Sequence, residues 1–149
     1  AKNILWDAFI PYVKFKHKLE PIHYMDKYVN ACENAILNEN VTSIKHDNNL
    51  LFNVELSHFH KQQQSQRGYF GTVHEISIKD LNELSKIIDE RCQTLTYFGF
   101  NVEELKSFVV SNKLRGIDRI VPIGRSLDMG VIWDGYDIIE HLSRIVHIN

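Results

Sequence analysis

Apolar residues never run more than three in succession along these 149 residues. A membrane-spanning helix needs about 20 in a row, so none is expected. Each buried element must instead be recognised by the spacing of its apolar positions. Hydrophobic residues make up 44% of the chain and charged ones 24%, an ordinary globular balance. It excludes a disordered tail, a collagen and a disulfide-dense miniprotein. A chain of this length can bury about 68–70% of its unfolded surface, enough for one core. A single α/β domain over residues 1–149, or one piece of a larger domain, is the expectation. The net charge of −2 and pI near 6.5 give no sign of a nucleic-acid-binding surface. The chain starts at Ala1, with no Met before it and no charged-then-apolar leader after it. That predicts processing or a piece cut from a longer chain.

Spacing predicts helices interleaved with strands. Residues 3–20 mix two periods and carry Pro11 and a short basic run, Lys14 to Lys18, read as a solvated loop. Over residues 22–38, Met25, Tyr28, Val29, Cys32 and Ile36 recur at three- and four-residue steps, a single apolar stripe on a helix. Residues 41–46 and 51–57 are β-rich runs around Asp47-Asn48-Asn49, a hairpin signature. Residues 61–66 are polar, with three consecutive Gln, and read as a surface loop. Residues 72–78 predict a strand. Asp80 with Glu83 and Asn101 with Glu104 have the capping-box spacing that opens a helix. Residues 95–100 and 119–123 predict two more strands, residues 135–142 a last helix and residues 144–148 a last strand. Four helices among about seven strands indicate an α/β class.

Self-contained chemical motifs are missing. The seven glycines are scattered and form neither dinucleotide-binding nor P-loop spacing. There is no G-x-S-x-G, H-E-x-x-H or C-x-x-C. His58 and His60, two apart on a strand, could face one metal ion. No third ligand is apparent, and they read as loop histidines at a strand end. Cys32 and Cys92 are too few for a disulfide framework and read as free thiols of a reducing cytoplasm. A nucleophilic Cys needs a nearby base or cation. Arg91 adjoins Cys92, but neighbouring side chains on a helix point apart. Asp118, Arg119 and Arg125 read as ion pairs holding a loop. Asp134 of Trp133-Asp134-Gly135 reads as a cap for the last helix.

Two stretches carry a family likeness. The first is Gly116-Ile117-Asp118-Arg119-Ile120-Val121-Pro122-Ile123-Gly124, followed by Trp133-Asp134-Gly135 and Leu142-Ser143-Arg144-Ile145. It resembles the carboxyl end of the LuxC-like fatty acyl-CoA reductases of bacterial bioluminescence. The second is Arg67-Gly68-Tyr69-Phe70-Gly71-Thr72-Val73, with Ile78-Lys79-Asp80-Leu81 after it. It is similar to the Glu-x-Phe-Gly-Pro-Val and Lys-x-Leu segments of the aldehyde dehydrogenase superfamily, to which those reductases are related. Cys92-Gln93-Thr94-Leu95 resembles the Gln-Thr segment of the reductases. The likeness begins near residue 67 and runs to the end.

The resemblance implies the carboxyl-terminal part of an aldehyde-dehydrogenase-like catalytic domain that ends in an oligomerisation strand. It implies reduction of a fatty acyl group to an aldehyde with NADPH, through a thioester on a Cys that lies upstream of this chain. Splitting one hard step into two is the benefit of such covalent capture. No catalytic residue and no metal ligand is then expected within residues 1–149, and the isolated piece should be silent. By the same likeness Phe70 lies beside the nicotinamide, and Gly68 stands where the superfamily has a ribose-binding Glu. Pro122 and Gly124 belong to a loop near the acyl-binding mouth. The expected partners are a fatty acyl group, as its CoA thioester or from an acyl-transferring protein, and further copies or enzymes in a cytoplasmic complex. The alternative is a non-catalytic interaction or oligomerisation module.

Overall fold

The computed structural model describes residues 2–60, 63, 65, 66 and 68–148. The chain divides into two compact units, Ala1–Lys79 and Asp80–Asn149. Both mix helices with small sheets, the α/β class that the spacing predicts. No helix among the described residues is long and apolar enough to cross a membrane.

The first unit holds α1 (Lys2–Lys16), α2 (Pro21–Leu37) and the strands β1 (Val41–Asp47), β2 (Leu51–Leu56) and β3 (Thr72–Ile76). β1 and β2 are antiparallel. Asn48, Asn49 and Leu50 join them, with Asn48 and Asn49 at positive φ (45° and 58°), a backbone that Asn tolerates in a tight turn. β3 runs parallel to β2, with Phe52 opposite Thr72 and Leu56 opposite Ile76. β2 is therefore central, and Leu51, Phe52, Val54 and Leu56 are buried on both its faces. The ambiguous residues 3–20 turn out to be mostly helix, and α1 runs through Pro11. Its Val13 joins Leu50 and Leu51 in the core, with Trp6, Phe9 and Ile10 packed alongside. Burial against β2 outweighs the weak periodicity of this segment. Of the loop expected over residues 61–66, Lys61, Gln62 and Gln64 lie outside the described residues.

α2 sits where its period predicts but faces the other way. Lys27, Asn30, Ala31 and Asn34 are buried, whereas Met25, Tyr28, Val29, Cys32 and Ile36 are exposed. The inward polar groups have partners. The Lys27 ammonium donates to the Leu50 carbonyl and lies 5.4 Å from the Phe52 ring centroid. Asn34 donates to the Asn30 carbonyl at 2.8 Å and meets His74 Nε2 at 2.9 Å. Buried polar groups are tolerated when they are hydrogen-bonded.

The second unit starts with a 3₁₀ helix, Leu81–Lys86, capped as predicted by Asp80, whose carboxylate accepts from Asn82 N at 3.0 Å. β4 (Thr94–Tyr97) and β5 (Arg119–Pro122) are parallel, and α3 (Val102–Ser111) connects them. α3 buries Leu105 and Phe108. β6 (Ile132–Trp133) and β7 (Tyr136–Asp137) form a short hairpin, and α4 (Ile138–Leu142) follows it. Two expectations are corrected here. Asp134 and Gly135, at φ 47° and 80°, make the hairpin turn, so Asp134 is no helix cap. Asp137 caps α4, accepting from Ile139 N at 2.9 Å and Glu140 N at 3.1 Å. Residues 144–148, expected to be a strand, have no regular secondary structure. A strand exists only in a ladder, and β-rich composition alone does not make one.

The buried amine of Lys27 makes the first unit pH-sensitive. Burial lowers its pKa from 10.5 to about 8. Between those two values the unfolded chain binds more protons than the folded one, so stability rises with pH. The urea midpoint, followed by Trp6 fluorescence in a Trp133→Phe background, should be higher at pH about 9.5 than at pH about 7. Lys27→Met should flatten that dependence, because the group that loses its proton on folding is gone.

Candidate functional site: the loop module around Arg119

The residues behind the family likeness fall into two local structures, one in each unit. In the second unit, Gln93 O accepts from both Asp118 N at 3.0 Å and Arg119 N at 3.2 Å, which starts β5. Gly116 lies two residues before Asp118, at φ 117°. A Cβ there would collide with the Asp89 carbonyl and the Glu90 backbone, so only glycine lets the chain pass. β5 ends at Pro122, whose carbonyl accepts from Arg125 N at 3.1 Å. Gly124 takes φ 89° in that turn, the conformation a type II turn requires of its third residue.

Arg119 ties the connection after β5 together. One guanidinium nitrogen donates to Ser126 O at 2.8 Å, and another donates to Asp128 O at 2.7 Å. The guanidinium carbon lies 4.2 Å from the centroid of the Trp133 ring. A planar guanidinium can bind two carbonyls and stack on a ring together. Arg125 pairs with the Asp128 carboxylate. The turn glycine Gly135 lies against Asp118, where an added Cβ would be 3.0 Å from Oδ1. The two halves of the motif thus interlock: Asp118 meets Gly135 and Arg119 meets Trp133. Pro122, Gly124, Leu127 and Met129 are exposed on this loop. Of the ion pairs expected from Asp118, Arg119 and Arg125, the structure shows one, between Arg125 and Asp128. The loop is held, but Arg119 holds it through carbonyls and a ring.

In the first unit, Phe70 stands at φ 39°, an unusual conformation for a bulky residue. The turn is held at both ends. Tyr69 O accepts from Thr72 N at 3.2 Å and Thr72 Oγ1 at 2.9 Å, and Gly71 O accepts from Phe52 N at 3.1 Å. The half-exposed Phe70 ring lies 4.2 Å from the His23 ring centroid, tilted by 39°. A Cβ on Gly68 would run into the Thr72 side chain, so the close approach of Thr72 leaves no room for a side chain there. Phe9, Val13, Leu19, Leu50, Phe70 and Gly71 line a small apolar cavity of about 110 Å³ beside this turn.

The structure thus gathers Gly68 with Phe70 in one turn and Pro122 with Gly124 in another, and the two turns belong to different units. Arg67, part of the likeness, lies outside the described residues. Cys32 is on the outward face of α2. Cys92 is half-buried, and the adjacent Arg91 guanidinium donates to Asp89 at 2.8 Å. His58 Nδ1 lies 3.0 Å from Ser57 Oγ. Among the described residues no three His, Cys, Asp or Glu side chains gather as metal ligands. Burial lowers the pKa of His74. Lys27 and His23 had no sequence signal. Lys27 reads as a surface residue between Asp26 and Tyr28, and only the helix orientation reveals it.

Compared with family models, with curated proteins and with solved structures, the chain finds no match.

The two motif glycines should differ in sensitivity. At Gly124 no atom lies within 4 Å of an added Cβ, so Gly124→Ala should cost only the positive-φ strain, about 1–2 kcal/mol. Gly116→Ala adds a backbone collision and should cost about 1–3 kcal/mol more. Thermal unfolding of the two variants side by side measures the difference.

Proposed function

We propose that this chain is the carboxyl-terminal segment of an NADPH-dependent fatty acyl-CoA reductase with an aldehyde-dehydrogenase-like catalytic domain. The observation that carries the reading is the paired motif, Gly116 to Gly124 with Trp133 to Gly135, whose parts lock together through Arg119 and Asp118. Residues far apart in a motif have a shared reason to occur together when they touch. The acyl group arrives as a CoA thioester or from an acyl-transferring protein, within a cytoplasmic homo-oligomer or multienzyme complex.

In this reading residues 1–149 position groups and do not react. NADPH supplies the hydride when bound. Phe70 fits a flat nicotinamide ring, because its own ring is half-exposed and backed by His23. Gly68 does not fit the ribose, since it has no side chain and no room for one. Another group must make that contact. The exposed Pro122–Gly124 turn, braced through Arg119, borders the acyl-binding mouth. The thiol that takes the acyl group lies outside these residues. Cys32 faces outward, and the cation next to Cys92 is engaged with Asp89.

The second reading, an interaction module without catalysis, is favoured by the carboxyl-terminal segment. Ile145, Val146 and Ile148 there are highly exposed, Ile145 at 95%. Apolar side chains left in water favour a covering partner. The test is made on the complete protein that contains this segment. With a long-chain acyl-CoA it should consume NADPH and release aldehyde, and residues 1–149 alone should consume none. Phe70→Ala should raise the KM for NADPH by about tenfold or more, while the sedimentation of the protein stays unchanged. Unchanged cofactor kinetics with altered sedimentation would favour the interaction module.

A further inference from the structure

In the first unit α1 is fastened to the sheet near both of its ends. Lys2 Nζ pairs with the Glu75 carboxylate and lies 3.6 Å from Glu55, and Lys14 Nζ lies 3.4 Å from Asp47 Oδ2. Side chains alternate in direction along a strand. The register sets Asp47 opposite Leu51, Lys45 opposite Asn53 and Ser43 opposite Glu55, so these residues share one face of the sheet. Between the two fastenings the helix leaves a groove of about 240 Å³ over that face. Trp6, Ile10 and Leu51 form its apolar walls, and Asp47 and Asn53 are among its polar ones. Both acceptor atoms there lack a donor. Asn53 Oδ1 and Asp47 Oδ2 are buried, and among the described residues neither accepts a hydrogen bond. The Asn53 amide cannot simply turn over to correct this. Its Nδ2 donates to the Glu75 carboxylate, and an ionised carboxylate only accepts.

We propose that this groove binds a small, flat, uncharged heteroaromatic molecule of one or two fused rings that carries N–H donors. Three features select that chemistry. The walls are apolar and include an indole, on which a flat ring packs offset or edge-on. The unmet polar groups are both acceptors, and a buried acceptor without a donor is costly, so the ligand brings the donors. The neighbouring charges are already matched. Lys2, Lys14 and Lys45 contact Glu55, Glu75 and Asp47, so no surplus charge remains to hold an ion. Size narrows the class further. The groove is smaller than the roughly 300–1,000 Å³ of pockets for drug-sized ligands, yet far larger than the about 30 Å³ share of one water molecule. In the bound state the ring lies against Trp6, Ile10 and Leu51, and its N–H groups donate to Asn53 Oδ1 and Asp47 Oδ2. A ring of equal size without donors leaves both oxygens unpaired and binds less tightly. The site does not depend on the reductase reading, since it uses none of the residues of the family likeness.

The experiment titrates the whole chain, in mildly alkaline buffer, with two probes of similar size. 5-Aminoindole has a ring N–H and an amino group, and quinoline has no donor. Calorimetry should give a Kd of about 1 mM or tighter for 5-aminoindole and at least about tenfold weaker binding for quinoline. In proton–nitrogen NMR spectra the indole N–H signal of Trp6, told apart from that of Trp133 with Trp133→Phe, should move on titration with 5-aminoindole. Asn53→Leu should reduce 5-aminoindole binding to about the level of quinoline and leave quinoline unchanged. Asn3 is exposed at the rim of the groove, and Asn3→Phe should block both probes. Far-UV circular dichroism shows which variants keep the parental fold, and if Asn53→Leu does not, Asn3→Phe still tests the site. No binding of 5-aminoindole at about 10 mM overturns the proposal. Equal affinity for the two probes overturns it, as does a Trp6 signal that stays in place. Undiminished 5-aminoindole binding by a variant with the parental spectrum does so too.

Discussion

The first unit depends on where a single ammonium group goes. Lys27 is fully buried, donates to the Leu50 carbonyl and lies over the Phe52 ring. Removing a charged amine from water is costly, and burial accordingly lowers its pKa to about 8. In exchange, the contact ties α2 to the start of β2, the strand that carries most of the core. Once Lys27 points inward, the geometry of the helix decides the rest. Asn30, Ala31 and Asn34 follow it into the interior, and the apolar stripe half a turn away must face out. The turn bearing Phe70 is held at the same place, since Gly71 packs against Leu51 and the Leu50 carbonyl.

Arg119 does for the second unit what Lys27 does for the first, but at the surface. Its guanidinium is spent on two backbone carbonyls and one indole ring. Its consequence is a braced loop whose exposed turn, Pro122 to Gly124, keeps one shape. Both units therefore use a cation to organise backbone carbonyls, and both place the residues of the family likeness on turns fixed by those contacts. That arrangement suits a segment that positions groups for chemistry carried out elsewhere, the role proposed above.

Much of the secondary structure was legible because it is written locally. Asn48-Asn49 marks its hairpin, Asp80 and Asn101 cap the elements they precede, and the period of residues 22–38 marks α2. Residues 3–20 were not legible, because α1 is held by packing of Val13, Trp6 and Ile10 rather than by its own pattern. Asp134 was misread because Asp suits both a cap and a tight turn, and only the pairing of β6 with β7 separates the two. Residues 144–148 look like a strand in composition, yet no ladder forms there. The site was legible as a motif but not as a mechanism of folding. Nothing in the spacing of Asp118-Arg119 and Trp133-Asp134-Gly135 says that the two pairs touch.

By itself the sequence determined the class of the fold, the positions of most elements and the absence of any long apolar span, because period, capping and run length are properties of neighbouring residues. Only the tertiary structure decided which face of α2 is buried, why Gly68 and Gly116 tolerate no side chain, and that Arg119 joins the two halves of its motif. Those outcomes depend on contacts between residues distant along the chain. A stripe of apolar side chains states that a helix has two faces. Which face turns inward depends on the hydrogen-bond partners that the opposing elements offer.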